Sequence, residues 1–218
     1  MKTIEKSTIH KVVRGAKRAV YDRETIYAIL DAGSICHVSY AMDGQPFVIP
    51  TAYGRIDDRL YLHGSVKSKS MLASSRNKVC VCITLLDGLV LARSAFHHSV
   101  NYRSVILYSE PKLVEDEEDK LKGLKAITEN MLKGRWDEVR KPSKKELQIT
   151  TVLELSLDTA SAKVRTGGPV DEDADYALNV WAGELPIVSS FGHGKSDKKL
   201  SQNILTSPSV KAVQNKKI

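Results

Sequence analysis

A mainly β fold, built as a closed or partly closed antiparallel barrel with peripheral helices, is what this 218-residue chain predicts. Three observations predict it. Six or seven short strand-like runs follow one another, tight-turn dipeptides such as Asp43-Gly44 and Asp57-Asp58 separate them, and no regular strand-helix alternation of the parallel α/β kind is present.

In chain order, residues 1–21 are polar and basic without a clean period and read as an N-terminal arm. Asp22 stands where a helix N-cap belongs, Ile26, Ile29 and Leu30 recur at helical spacing, and Gly33 follows as a stop. Strand signals over 34–40, 45–53 and 59–63 form an antiparallel meander. Residues 67–76 form a short helix candidate with Met71 and Leu72, and KVCVCITL, 78–85, is a nearly continuous apolar run suited to a strand covered on both faces. Strand character resumes after Asp87-Gly88 and is clearest over 101–114. The strongest helix signal is 115–133: Leu121, Leu124, Ile127 and Met131 share a face, acids from Glu115 to Asp119 sit at the positive end of the dipole, and Gly134 follows. Residues 150–157 and 160–165 read as a final strand pair, and from about Ser196 the chain is polar, basic and expected to be mobile. The domain reading is an arm over 1–21, one barrel domain over 22–195 and a polar basic tail over 196–218.

Composition removes several functional classes. No run of about 18 apolar residues exists, and the first residues lack the apolar stretch of a secretory signal, so a cytoplasmic protein with no membrane partner is expected. Cys36, Cys80 and Cys82 each lie within an apolar strand-like run and read as free thiols, with no metal site. The formal charge is +7, but residues 1–18 and 195–218 carry +5 each, which leaves the stretch between them at −3. A basic groove on the body is not indicated, and nucleic acid is not an expected partner.

The common catalytic signatures are absent: there is no P-loop, no GxGxxG after a strand, no GxSxG and no HExxH. The informative segment is LYLHGSVKSKSML, 60–72, where a strand ends at His63-Gly64 and a helix begins amid Ser65, Lys67, Ser68, Lys69 and Ser70. Backbone N–H groups, hydroxyls and two ammoniums suit a phosphate there; the same composition also describes a solvated basic turn with serine caps. A second cluster, 92–108, gathers Arg93, His97, His98, Asn101, Tyr102, Arg103 and Ser104, and reads either as a ligand site or as a surface loop feeding a sheet.

These segments, with RAVYD (18–22), CHVSY, PFVIPTAYG, GRW and WAGELP, resemble the pyridoxamine 5′-phosphate oxidase-like family of FMN-binding split barrels. Within it the chain is most similar to the flavin-nucleotide-binding branch that is like the nitroimidazole-resistance reductases. The resemblance implies a six-stranded antiparallel split β-barrel of Greek-key connection and a homodimer with FMN at the subunit interface. It implies that Val48, Ile49, Pro50, Thr51, Ala52 and Tyr53 line the isoalloxazine, largely through backbone groups. His63, Gly64 and Ser65 would flank the ring and ribityl chain, Ser68 and Lys69 would hold the phosphate, and Tyr102, Arg103 and Ser104 would reach the flavin from the other subunit. His63 is the catalytic candidate, as proton donor or substrate-positioning group. The oxidases carry an arginine and a lysine where this chain has Val48 and Tyr53, and an Arg-x-His near the C-terminus that is missing here, which argues against pyridoxamine phosphate oxidation. The implied activity is flavin-dependent reduction, passing electrons from a transiently bound NAD(P)H to a nitroaromatic, quinone or flavin acceptor. The alternatives are a non-catalytic FMN storage or sensing module, and a haem-binding split barrel with His97 or His98 as axial ligand.

Overall fold

The computed structural model describes residues 3–75, 77–214 and 216. Among them run ten strands and six α-helices. Seven strands are long: β2 (Ile35–Met42), β3 (Gln45–Ile56), β4 (Arg59–Ser65), β5 (Val79–Leu91), β6 (Ser99–Ser109), β8 (Thr150–Ser156) and β9 (Ala160–Arg165). β1 (Ala19–Val20), β7 (Lys112–Leu113) and β10 (Gly183–Pro186) are short additions. The mainly β class with peripheral helices is as expected, but the count exceeds six. Two-residue strands carry no alternation to read, and β10 is only four residues long and ends in a proline, its pairing set by the β5 edge beside it.

The sheet order is β1-β9-β6-β5-β2-β3-β4-β8-β7, with β10 on β5. The sequence of neighbours β5-β2-β3-β4 is a Greek key: three consecutive strands, with the fourth returning beside the first. The split arises in β3. Its residues 45–52 pair with β2, whereas Tyr53–Ile56 pair with β4, so one strand passes from one half of the barrel to the other. Gly54, just past that passage, is where β3 comes against the helix α3 (Glu117–Met131): a Cβ there would lie 2.3 Å from the Ala126 carbonyl carbon.

Inward positions alternate as the pleat demands. Val38, Val81, Leu107, Leu60, Leu62, Leu153 and Leu155 are all essentially sealed from solvent and form one core with Ile26, Ile29 and Leu30 of α1 (Arg23–Ala32). α1 starts as anticipated: the Asp22 carboxylate accepts the Thr25 N–H at 2.8 Å. α2 (Lys69–Ser74) closes one end of the barrel through Met71, which lies so close to Gly64 that a Cβ on that residue would come within 2.7 Å of Met71 Cγ. α4 (Arg135–Glu138) buries Trp136, and α5 (Lys144–Gln148) begins with a capping box, Ser143 with Glu146.

Both basic terminal segments fold back on the body. In the N-terminal arm Ile4 joins the core at 2% exposure, its N–H bonded to the Tyr21 carbonyl. In the C-terminal tail α6 (Pro208–Val213) docks on α4, where Glu138 accepts the Ser209 N–H at 2.7 Å and the Ser209 hydroxyl. Polar composition hid both attachments, because each depends on one or two residues rather than on an apolar stripe.

Candidate functional site

Cross-strand pairing sets which side chains share the outer face of the barrel wall. Pro50 pairs with His37, His37 with Cys82 and Cys82 with Ile106; Val48 pairs with Ser39, Ser39 with Cys80 and Cys80 with Tyr108. Paired residues project to one side, and this side is the one opposite the core residues Ile49, Val38, Val81 and Leu107. It is open: Val48 is 63% and Ile35 51% exposed, and Pro50 and His37 are exposed as well. On β4, His63 alternates with the core residues Leu60 and Leu62 and so projects outward with Tyr61. α3 covers part of this outer side, coming within van der Waals reach of Tyr61 and Val152 at Gly123. His63, paired with Val152, lies at the margin of that cover.

That position gives His63 unusual surroundings. The ring is half-buried, and its Nδ1 is sealed from solvent without a hydrogen-bond partner. Burial lowers its pKa, and no carboxylate opposes that effect. The imidazole is neutral near pH 7, with a nitrogen lone pair or N–H to offer. Among the described residues the other sealed, unpartnered polar side-chain atoms are His10 Nε2 and Ser74 Oγ, in the N-terminal arm and in α2.

The remaining expected residues fall into three groups. Val48, Pro50 and Ala52 continue the outward parity that ends at Gly54 beneath α3, whereas Ile49 and Thr51 point the other way. Tyr53 is a core side chain: it is fully buried, its hydroxyl donates to the Leu30 carbonyl at 2.5 Å, and burial pushes its pKa up. Its ring is thus occupied in holding α1 to the barrel. At the end of β4, Gly64 is small because Met71 needs the space, and Ser65 Oγ accepts the Lys67 N–H at 3.2 Å. Ser68 caps α2, accepting the Met71 N–H and sharing a hydrogen bond with Ser70 Oγ at 2.7 Å, while Lys69 is exposed in the first turn.

Tyr102, Arg103 and Ser104 lie on β6, separated within one chain from β3 by β5 and β2. Arg103 is committed to Asp87, its Nε and Nη2 reaching the carboxylate at 2.7–3.2 Å. His97 and His98 are likewise occupied: His97 Nε2 is 3.4 Å from Glu172, and His98 Nδ1 is 2.9 Å from the Ser94 carbonyl. Asp171, whose side chain is fully buried, ties the same loop to the C-terminal segment through Arg93. These partners fix the loop's shape and the orientation of both rings, with His98 Nε2 on the side away from Ser94.

Sequence reading passed over two contributors. His37 joins the outer face beside Pro50, a placement its alternation with Cys36 and Val38 foreshadows. Asn130 donates from Nδ2 to the carbonyls of Gly33 at 2.9 Å and Tyr53 at 3.0 Å, pinning the point where β3 changes partner; no local pattern announces it. A cleft of about 800 Å³ beside α3 contains none of the expected residues.

Comparison with known proteins gives a family. The model for pyridoxamine 5′-phosphate oxidase matches residues 22–164. Among solved structures, the flavocytochrome Anf3 from Azotobacter vinelandii is 38% identical over 95% of this chain and 97% of its own, with a TM-score of 0.90. The FAD and haem binding protein from Mycobacterium smegmatis is 32% identical over 90% of this chain and 97% of its own, with a TM-score of 0.86. A protein described as a 5-nitroimidazole antibiotic resistance protein, from Bacteroides thetaiotaomicron, shares the fold at 24% identity and a TM-score of 0.57, over 67% of this chain and 86% of its own. Among curated proteins none matches the chain.

Proposed function

The chain belongs to the pyridoxamine 5′-phosphate oxidase family, and on that premise we propose that it is a redox protein holding both a flavin and a haem on the outer barrel face around His63. A bound flavin would supply two-electron acceptance from NAD(P)H and stepwise release to a small acceptor, and a bound haem a one-electron site. The observation that carries this reading is the sealed, unpartnered Nδ1 of a neutral imidazole. Two relatives above 30% identity are a flavocytochrome and a FAD and haem binding protein.

The residues fit such groups. His63 offers an imidazole with an unpartnered nitrogen for iron, and His97 and His98, on the loop before β6, are the alternative ligands the same test separates. Val48, Pro50 and Ile35 offer an apolar surface for a planar ring, and Lys69, exposed and without an acidic partner among the described residues, offers the cation for a flavin phosphate. With Arg103 spent on Asp87, stabilising a reduced flavin would fall to hydrogen bonds from His63 and the backbone. A second copy of the chain would cover the open face, excluding water and bringing Tyr102 and Ser104 to it from the partner. Storage or sensing without turnover is the second reading, favoured by a sequence with no GxGxxG dinucleotide fingerprint.

The spectrum of the purified protein is the test. A flavin absorption together with a Soret band is expected, and His63→Ala is expected to abolish the Soret band while His97→Ala and His98→Ala keep it. Acid extraction and mass spectrometry decide between FMN and FAD. Anaerobic NADH or NADPH bleaches the flavin of a reductase and leaves that of a storage module oxidised. A colourless protein that takes up neither added flavin nor haemin overturns the proposal.

A further inference from the structure

We propose that the cleft roofed by the C-terminal segment binds a single-chain amphiphile with an anionic head, the chemistry of a medium-chain fatty carboxylate. Chain around Phe191–Gly194 and α6 crosses the outer side of the last turns of α3, and leaves two adjoining cavities of about 800 and 370 Å³. They share Met131, Leu132, Phe191 and Val213, so the two lie side by side. Both volumes are in the range of ligand pockets.

The two chambers differ in chemistry. Val210 and Thr128 add to the apolar lining of the smaller one, and its single charged residue, Arg135, is turned to Glu138 and Ser207. The larger one opens past Lys122, Lys125 and Lys133. Its acids are already engaged: Asp31 holds Arg55 through two hydrogen bonds, and Glu129 accepts the N–H groups of Gly134 and Trp136. Lys122 is taken by Asp119 at 2.8 Å, which leaves Lys125 and Lys133 without an acidic partner among the described residues.

An apolar chamber beside a mouth bearing ammoniums without acidic partners selects a ligand with a hydrocarbon chain and a negative head. A sugar phosphate would desolvate its hydroxyls against Val210 and Leu132, and a neutral hydrocarbon would leave the cations unanswered. The roof has a firm hinge in Glu138 and Ser209, while Phe191 (40% exposed) and Met131 (56% exposed) leave apolar surface for a chain to cover.

Calorimetric titration of the full chain, with its cofactors as purified, uses dodecanoate below its micellar range, dodecanol as the uncharged match and butyrate as the chainless match. Saturable binding of dodecanoate, weaker binding of dodecanol and none of butyrate are expected. Val210→Trp, which fills the inner chamber, should abolish binding. Lys125→Glu with Lys133→Glu, surface changes that leave packing intact, should weaken it about tenfold, the scale of one charge-assisted contact. No saturable heat with dodecanoate, equal affinity for dodecanol, or indifference to both variants overturns the proposal. The outcome is independent of whether the barrel face carries flavin or haem.

Discussion

Gly54 and Ala126 touch backbone to backbone: a Cβ on the glycine would lie 2.3 Å from the Ala126 carbonyl carbon and from the Ile127 nitrogen. β3 thereby seats α3 directly on the barrel at the point where the strand exchanges β2 for β4 as its partner. Gly54→Ala must push the helix outward, since neither contacting atom belongs to a movable side chain. A loss of about 1–3 kcal/mol is expected for such overpacking, measured by denaturant unfolding, whereas Gly192→Ala, which meets nothing within 4 Å, is expected to stay within about 0.5 kcal/mol.

Tyr53→Phe separates stability from cofactor binding. It deletes the hydroxyl that donates to the Leu30 carbonyl but keeps the ring in the core. The midpoint of unfolding should fall by an amount worth about 1–2 kcal/mol, with flavin content per chain unchanged. Loss of flavin at unchanged stability would return Tyr53 to the binding site.

Lys69→Ala addresses the phosphate. The ammonium is exposed in the first turn of α2, free to meet an anion. Flavin retention is expected to weaken by about 1–3 kcal/mol, the worth of a hydrogen bond to a charged group, with no change in folding. Undiminished flavin affinity removes Lys69 from the site.

The latch between Glu138 and Ser209 is expected to be acid-sensitive. Hydrogen bonds from the Ser209 hydroxyl and N–H hold the Glu138 pKa down to about 2, against an ordinary 4.5. A carboxylate depressed in the folded state stabilises it fully above the unfolded value, and that contribution is lost as pH falls from 4.5 toward 2. Hydrogen exchange in α6 should accelerate over that window ahead of the barrel strands, and Glu138→Gln should bring the same acceleration at neutral pH. Uniform protection across α6 and β5 at low pH would mean the latch does not open separately.

Much of the architecture is legible in the sequence because its signals are local. Asp22 before Ile26, Ile29 and Leu30 specifies α1 with its cap, and the alternations in β2 to β6 specify which residues face inward. The acids around Asp116 mark the start of α3. His63 stands out in the sequence because it ends a strand just before a serine- and lysine-rich turn.

The family and the barrel class are written in short-range patterns of apolar spacing, turns and motifs. Which polar groups are spent on one another emerges when the chain is folded. Arg103 is claimed by Asp87, His97 by Glu172, His98 by the Ser94 carbonyl and the Tyr53 hydroxyl by the Leu30 carbonyl, whereas His63 Nδ1 has no partner. The physical reason is that satisfying a polar group depends on what the fold brings within about 3 Å of it. Apart from Ser94, four residues before His98, those partners lie from 16 to 75 residues away, at separations no local pattern encodes.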